Sequence, residues 1–446
     1  MTSYGTYERV AGGSEPVASS WRQVPRCGCK ALSGFAVLLA ASIALAVWSS
    51  HSGGHPVEYH DSPISNDRVD RWDDKHAHKF RPRFPIAEGH RKDCEDKDFT
   101  KDTLKVIKET NFVNAMLNSG FDASLLDKFE ASDIIGFHDD DKFFIVFDNS
   151  YQIGLVRRHG LNPGAHLASP DENLLLDWPE DSPMNPDGDS QFEAIAHNHS
   201  ADTFLIFEET HLAKDNVSRS RAHEVHISAQ NNITSIRTCE VEYEFSFENK
   251  GIEGATVVEI RGRTYVLALC EGNYCEGGEK GREPGNGRIL LLEQYLIENG
   301  NKSSCTYNVV QTIKLPKEVD FMDYSAITVY ENRKVAITSQ ENAAVWIAEL
   351  DFPDTVGPKP SKEDNDDDDD DDDNDDDEPM VAFVNGKIYD FPRNDLCEIV
   401  YCNIEGAYFL KENILITVSD AMKGKGRQPY VCRSKGQSIH VFYIPE

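Results

Sequence analysis

The sequence predicts an all-β fold, a five-bladed β-propeller, behind a single N-terminal transmembrane helix. Two observations predict it: a short pattern that recurs five times after residue 100, and one uncharged apolar run near the start of the 446-residue chain. The resulting domains are a cytosolic tail at 1–30, a transmembrane anchor at 31–48, a polar stalk at 49–99 and the propeller at 100–446.

The recurring pattern is an apolar residue, then Glu or Ser, then a short apolar strand. Its five copies read ASDIIGF, FEAIAH, IEGATVV, YSAITVY and IEGAYFL. Further runs rich in Val, Ile, Phe, Tyr and Thr follow each copy, separated by the Gly, Asn, Asp and Pro that are typical of turns. Four antiparallel strands repeated radially form the blades of a propeller. The wide spacing of the copies leaves a sixth, degenerate blade as the alternative.

The last copy has room for three strands, so its fourth strand must come from elsewhere or leave an open sheet edge. The segment TLKVIKETNF, Thr103–Phe112, precedes the first copy and alternates like a fourth strand. We therefore expect the start of the domain to close the ring against its end.

The formal net charge of −32 argues against a nucleic-acid partner, because no basic surface is available. Part of this charge is local, since residues 363–378 contain fourteen acids in sixteen positions. Such a run repels itself and buries nothing, which predicts a disordered insertion at 357–380. A loose calcium-collecting segment is the alternative interpretation of this insertion.

The apolar run Ala31–Trp48 is long enough to cross a thin bilayer as a helix. Positive charges precede it and none follows until Arg68, so the positive-inside rule places residues 49–446 outside the cytosol. This predicts a single-pass type II membrane protein of the secretory system or cell surface. A signal peptide cleaved near Ala46 is the alternative.

Eight cysteines follow the anchor, and an even number in an oxidising compartment indicates disulfides. Cys270 with Cys275, and Cys397 with Cys402, have the spacing of local disulfides. A four-cysteine zinc site is the alternative, although such sites normally have tighter spacing. Sequons for N-glycosylation suit a lumenal or extracellular glycoprotein; they begin at Asn198, Asn216, Asn232 and Asn301.

The polar residues of the repeat predict a calcium site. In a propeller the first strand of each blade lines the axis, and the second strand ends at the face where the first begins. The residues that open the first strands are the candidate metal ligands: Ser132, Glu193, Glu253, Ser325 and Glu405. The acids that end the second strands are candidate ligand-binding residues: Asp148, Glu208, Glu271, Glu341 and Asp420. Converging oxygen ligands suit Ca²⁺.

Two further interpretations concern the same face. In the first alternative, the opening residues bind no metal and form hydrogen bonds that cap the channel. In the second, the bound ion is Mg²⁺ and not Ca²⁺. A loop after Asp420 carries the cations Lys423, Lys425 and Arg427, which are suited to hold a phosphate beside a metal. An exposed loop without a ligand is the alternative for them.

The repeat resembles known families. The apolar–Glu–Gly pattern followed by a strand ending in an acid is similar to the SdiA-regulated and esterase-like-phytase propellers. The ring order Ser, Glu, Glu, Ser, Glu resembles the calcium site of calcium-activated apyrase, a five-bladed propeller that also has an N-terminal membrane anchor and hydrolyses nucleoside diphosphates. This second resemblance implies that the five opening residues bind calcium.

Two functions fit these features. The first is a binding ectodomain that uses calcium for stability and presents loops to a protein, a glycan or a phosphorylated small molecule. The second is a calcium-dependent phosphoester or ester hydrolase. We favour binding, because the sequence contains no nucleophile elbow, Walker loop or metalloprotease motif.

Overall fold

The computed structural model describes residues 102–116, 130–137, 142–157, 173–179, 189–213, 215–247, 250–299, 302–353, 379–394, 398–420, 432 and 435–446. The predicted tail, anchor and stalk lie outside these ranges. Within them, no helix is long and apolar enough to cross a membrane. The helix α1 (Phe112–Met116) is a single short turn between strands.

Twenty strands form five antiparallel units of four strands each within the described ranges. Unit 1 contains β2 (Ala131–Phe137), β3 (Lys142–Phe147), β4 (Ser150–Arg157) and β5 (Leu174–Leu176). Unit 2 contains β6 (Phe192–Asn198), β7 (Thr203–Leu212), β8 (Ser218–Ile227) and β9 (Ile233–Glu242). Unit 3 contains β10 (Ile252–Ile260), β11 (Arg263–Cys270), β12 (Arg288–Asn299) and β13 (Lys302–Lys314).

The last two units differ in how they obtain their fourth strand. Unit 4 is continuous in sequence and contains β14 (Ala326–Tyr330), β15 (Lys334–Ser339), β16 (Ala344–Asp351) and β17 (Ala382–Asp390). Unit 5 contains β18 (Ile404–Lys411), β19 (Ile414–Ser419) and β20 (Ser438–Tyr443), and its fourth strand is β1 (Lys105–Asn111). β1 and β20 pair in an antiparallel register, as predicted for the closing strand.

The first strands of the units contact one another in a closed cycle: β2 with β6, β6 with β10, β10 with β14, β14 with β18, and β18 with β2. Five apolar clusters fill the spaces between successive units. Between units 1 and 2, for example, Phe144 packs with Phe204 at a ring-centroid distance of 5.1 Å. Each sheet buries apolar side chains on both faces, and this arrangement of sheets is that of a β-propeller.

Units 2 and 3 are joined more tightly than the others. Their outer strands β9 and β13 pair in parallel, with Thr306 opposite Glu240 and Asn308 opposite Glu242. The disulfide Cys239–Cys305 links the same two strands. The two units therefore form one continuous eight-stranded sheet.

Two other disulfides lie within the described residues. Cys270–Cys275 is local, as predicted. Cys402 bonds to Cys432 and not to Cys397, so the predicted Cys397–Cys402 disulfide is wrong. Cys432 precedes β20, which pairs with β19 of the same unit, so strand pairing and not close sequence spacing selects the partner of Cys402. Cys397 itself lies outside the described residues. These pairings also exclude the six bonded cysteines from a zinc site.

The acidic insertion lies between β16 and β17, the third and fourth strands of unit 4. Its sixteen-residue acidic run, 363–378, is outside the described residues. The strands on either side pair directly, with Asp351 opposite Ala382, so the insertion leaves the unit intact.

Candidate metal centre

An acidic cavity of about 130 Å³ lies where first and second strands of the five units meet. Oxygen-bearing side chains line it. They are Glu130, Ser132, Asp148, Glu193, Glu209, Glu253, Glu271, Gln340, Glu405 and Asp420. Four of the five predicted opening residues therefore share one cavity, and the fifth, Ser325, is not among its lining residues.

The four opening residues reach the cavity through β-bulges. The pairing of first with second strands shifts register at each of them: Ser132, Glu193, Glu253 and Glu405. A bulge inserts one unpaired residue and turns its side chain away from the regular alternation of the strand. The bulges thus direct these four side chains into the cavity.

The residue after each bulge lies against the next first strand. A Cβ on Gly254 would lie 2.6 Å from the backbone nitrogen of Ile327, and one on Gly406 would lie 2.5 Å from Cα of Asp133. Glycine is required where two backbones approach so closely. This explains the Glu-Gly pairs of the repeat: the glutamate is the bulged residue, and the glycine permits the contact between neighbouring units.

Asp133 is the equivalent residue in unit 1, and its carboxylate joins three first strands. Oδ1 accepts a hydrogen bond from the Ile134 N–H at 2.8 Å, and Oδ2 accepts one from Ile195 of β6 at 2.9 Å. The N–H of Ala407 on β18 donates a third. Burial raises the pKa of Asp133 well above its usual range, although the three donors oppose the shift. Sequence analysis did not identify this residue.

The second-strand ends supply the remaining side chains, with two differences from the prediction. Asp148, Glu271 and Asp420 line the cavity. In unit 2 the lining residue is Glu209 and not Glu208, and in unit 4 it is Gln340 and not Glu341. In both cases the predicted residue differs from the lining residue by one position.

The two displaced acids bind other partners. Glu208 Oε2 lies 3.1 Å from His223 Nε2 and 3.5 Å from Arg221, within the sheet of unit 2. Glu341 forms a bidentate ion pair with Arg282. In unit 2, Glu209 is the unpaired residue of a bulge between β7 and β8, which turns its side chain away from the regular alternation. In unit 4, β15 ends at Ser339, and Gln340 and Glu341 lie in the turn that follows.

Ser325 has a structural role. Its hydroxyl donates a 2.7 Å hydrogen bond to the carbonyl oxygen of Ile404 and lies 3.0 Å from the Thr338 hydroxyl. The side chain is buried and joins unit 4 to unit 5. The three predicted phosphate-binding cations, Lys423, Lys425 and Arg427, lie outside the described residues.

The cavity concentrates negative charge. The pKa of Glu253 is raised well above its usual range, first by burial and then by Glu271 and Glu193. Burial, followed by repulsion from Asp148 and Glu209, raises the pKa of Glu193 in the same way. Carboxylates in this arrangement repel one another unless a cation neutralises them.

Three of the carboxylates form a compact group. One oxygen from each of Glu209, Glu253 and Glu271 lies within 4.8 Å of the others. Ligand atoms at about 2.3–2.6 Å from a common Ca²⁺ are separated by no more than roughly 5 Å, so the group fits one calcium ion. The donors are all oxygens, which suits a hard cation such as Ca²⁺ rather than zinc or copper.

No protein-family model and no curated protein sequence matches the chain. Solved structures resemble it at low identity. The PQQ-bound aldose sugar dehydrogenase of Streptomyces coelicolor is 10% identical, with a TM-score of 0.35, over 76% of this chain and 99% of that chain. The Dos1 propeller is 8% identical, with a TM-score of 0.28, over 77% of this chain and 95% of that chain.

Chaetomium thermophilum Sqt1 is 12% identical, with a TM-score of 0.25, over 52% of this chain. The matched region spans 42% of the length of Sqt1. TM-scores this low do not decide the fold. The assignment as a β-propeller rests on the strand pairing and on the closed cycle of first strands.

A second polar constellation lies beside the cavity in unit 5. Ser419 Oγ is 3.1 Å from His440 Nε2, and His440 Nδ1 is 3.3 Å from Glu109 Oε1. This order resembles a nucleophile, a base and an orienting acid. However, Ser419 and His440 are only 2% and 1% exposed, and the serine hydroxyl also contacts the carbonyl oxygens of Lys435 and Ser438. The arrangement therefore connects strands and does not face a substrate.

Proposed function

We propose that this chain is a membrane-anchored propeller of five blades that holds Ca²⁺ in its axial cavity and acts as a ligand- or partner-binding ectodomain. The observation that supports it most directly is the cavity itself, where carboxylates from units 1, 2, 3 and 5 converge. The proposed core of the site is the group Glu209, Glu253 and Glu271, with Glu193 and Glu405 as further ligands.

Calcium is the cation that best suits this set of side chains. Ca²⁺ accepts six to eight oxygen ligands in flexible geometry, whereas Mg²⁺ requires a near-ideal octahedron. A cavity lined by oxygens from several independent strands suits the flexible coordination of Ca²⁺ better than the strict octahedron of Mg²⁺. The ion would neutralise buried carboxylates, so it would stabilise the ring whether or not a reaction takes place.

The proposed location outside the cytosol has two supports. Disulfides form and persist in oxidising compartments, and the described residues contain three of them. The sequon residues Asn216 and Asn232 are both exposed, as glycosylation requires.

A calcium-dependent phosphoester or ester hydrolase is the alternative function. The observation in its favour is that the predicted loop with Lys423, Lys425 and Arg427 follows directly after Asp420, which lines the cavity. Cations that hold a substrate phosphate beside a metal ion would favour its hydrolysis. We favour binding because Ser419 and His440, the pair with catalytic geometry, are buried.

Calcium titration of the purified full chain tests the metal site. We expect Ca²⁺ to raise the melting temperature, a chelator to reverse the rise, and Glu253→Gln to reduce it by more than half, because the substitution removes one anionic ligand. The matched control is Glu318→Gln, at an exposed turn, which should respond like the unsubstituted protein. Unchanged calcium stabilisation in Glu253→Gln would contradict the assignment.

The same preparation distinguishes binding from hydrolysis. p-Nitrophenyl phosphate, nucleoside diphosphates and a p-nitrophenyl ester are each assayed with Ca²⁺ and with chelator. Calcium stabilisation without turnover supports the binding function. Calcium-dependent turnover that Glu253→Gln abolishes supports the hydrolase.

A further inference from the structure

A lysine ammonium lies beside the three-carboxylate group. Lys250 is in the connection from β9 to β10, three residues before Glu253. Its Nζ forms an ion pair with Oε1 of Glu271. Glu253 and Glu209 also favour its positive charge. The cation therefore interacts with all three members of the group proposed to bind calcium.

Glu253 shows why a cation is needed there. Its side chain is 8% exposed and lines the cavity. Among the described residues, no donor forms a hydrogen bond to its carboxylate. A buried carboxylate must be paired, bind a metal or take up a proton. A buried acid that lacks a hydrogen-bond donor and faces the cavity supports a cation beside it, either the ammonium of Lys250 or a metal ion.

We propose that Lys250 is a tethered counter-ion that neutralises the Glu209–Glu253–Glu271 group in the metal-free protein and competes with Ca²⁺ for Glu271. This inference rests on the proposed calcium site and specifies what that site contains when calcium is absent. Lys250 would keep the ring folded without metal and would lower the apparent calcium affinity.

Lys250 and Ca²⁺ compete because both are cations and because the lysine side chain is able to move into water. Ca²⁺ and an ammonium group repel each other, so simultaneous contact of both with Glu271 is disfavoured. The side chain of Lys250 is 35% exposed, so its ammonium has access to water when calcium takes its place. Any ligand that must displace an occupant binds with an affinity reduced by the fraction of protein in which the site is free.

The test compares Lys250→Met with the unsubstituted full chain by calorimetric titration with Ca²⁺. Methionine keeps the length of the side chain and removes the charge. We expect the calcium Kd of Lys250→Met to fall roughly tenfold, and Lys250→Arg, which keeps the charge, to remain within about threefold of the unsubstituted protein. Lys387→Met is the matched control, because Lys387 is 37% exposed and forms an ion pair with Asp102.

Thermal unfolding provides a second readout. In chelator, Lys250→Met should melt at a lower temperature than the unsubstituted protein, and saturating Ca²⁺ should remove most of this difference. A purely structural lysine would give the same loss with calcium and with chelator. That result, or a calcium Kd that is unchanged or higher in Lys250→Met, overturns the proposal for Lys250.

Failure of the underlying site gives a different result. If neither the unsubstituted protein nor Lys250→Met binds Ca²⁺, both the calcium site and the competition are wrong. If the unsubstituted protein does not bind and Lys250→Met does, the site exists and the lysine occupies it, which supports the inference.

Discussion

At the scale of the residue, the Glu-Gly pairs of the repeat combine two requirements in adjacent positions. Glu253 and Glu405 are the unpaired residues of bulges, and the glycines that follow them lie against the backbone of the neighbouring unit. One dipeptide therefore both supplies a side chain to the cavity and allows two first strands to approach closely. The carboxylate of the glutamate lines the cavity, and the glycine, which has no side chain, permits the contact between neighbouring units.

Gly406→Ala tests the second requirement. The added methyl would lie 2.5 Å from Cα of Asp133, so a backbone must move. We expect the free energy of unfolding to fall by about 1–3 kcal/mol, the usual range for overpacking, in chemical denaturation. Gly154→Ala is the control, because its nearest contact is 3.2 Å to the side chain of Phe147, which is able to yield. An equal loss in both variants would contradict this account.

At the scale of the element, repeated patterns located the strands well. The five first strands, the local disulfide Cys270–Cys275 and the closing role of Thr103–Phe112 follow from the sequence, because alternation and turn residues are local signals. The direction of the side chains at the strand ends could not be predicted as well from the sequence. Two acids stand together at Glu208 and Glu209, and only pairing with the neighbouring strands selects the one that faces the cavity.

Long-range features were not accessible from the sequence. The parallel pairing of β9 with β13 and the disulfide between them join strands of different units, and no local pattern encodes that contact. Lys250 was also missed, because it precedes its strand and its role depends on three carboxylates that arrive from β7, β10 and the end of β11.

Removing the disulfide between units 2 and 3 tests how strongly it stabilises the sheet. Cys239 and Cys305 are 66 residues apart, and chain-entropy estimates give about 4 kcal/mol for a loop of this length. We expect Cys239→Ala/Cys305→Ala to lose roughly that amount in denaturant unfolding. Cys270→Ala/Cys275→Ala, with a separation of 5 residues, should lose only about 2 kcal/mol. A larger loss in the second variant would contradict the entropic account.

At the scale of the whole molecule, closure depends on contacts between β1 and the end of the chain. Glu109 on β1 accepts hydrogen bonds from Tyr401 at 2.6 Å and from Lys435, and it lies beside His440. The interaction with His440 contributes most to lowering the pKa of Glu109 to about 2, against burial, and Lys435 and Tyr401 add to it. The closure of the ring is thus stabilised by the charge of Glu109 as well as by the pairing of β1 with β20.

Glu109→Gln tests how much this carboxylate stabilises the closed ring. A folded-state pKa below the ordinary value of 4.5 means that the carboxylate stabilises the fold above that pH and loses this effect as the pH falls toward 2. Allowing for partial exposure, we expect a loss of about 1–2 kcal/mol at pH 7 that shrinks at pH 3. Denaturant unfolding at pH 7, 5 and 3 measures it.

Glu412→Gln is the control for that series, because Glu412 and its partner Arg333 are each 58% exposed. Exposed ion pairs of this kind contribute little, so its effect should stay below about 1 kcal/mol at every pH. A deficit in Glu109→Gln that does not depend on pH would show that the carboxylate charge is not involved.

The pairing of β1 with β20 also has a consequence for biosynthesis. A ribosome makes Lys105–Asn111 more than 300 residues before Ser438–Tyr443, so β1 must wait for the strand that pairs with it. Until β20 has been made, β1 has no strand partner and remains available to bind chaperones or other nascent chains. A premature stop codon that removes β20 would yield a product in which β1 lacks its strand partner.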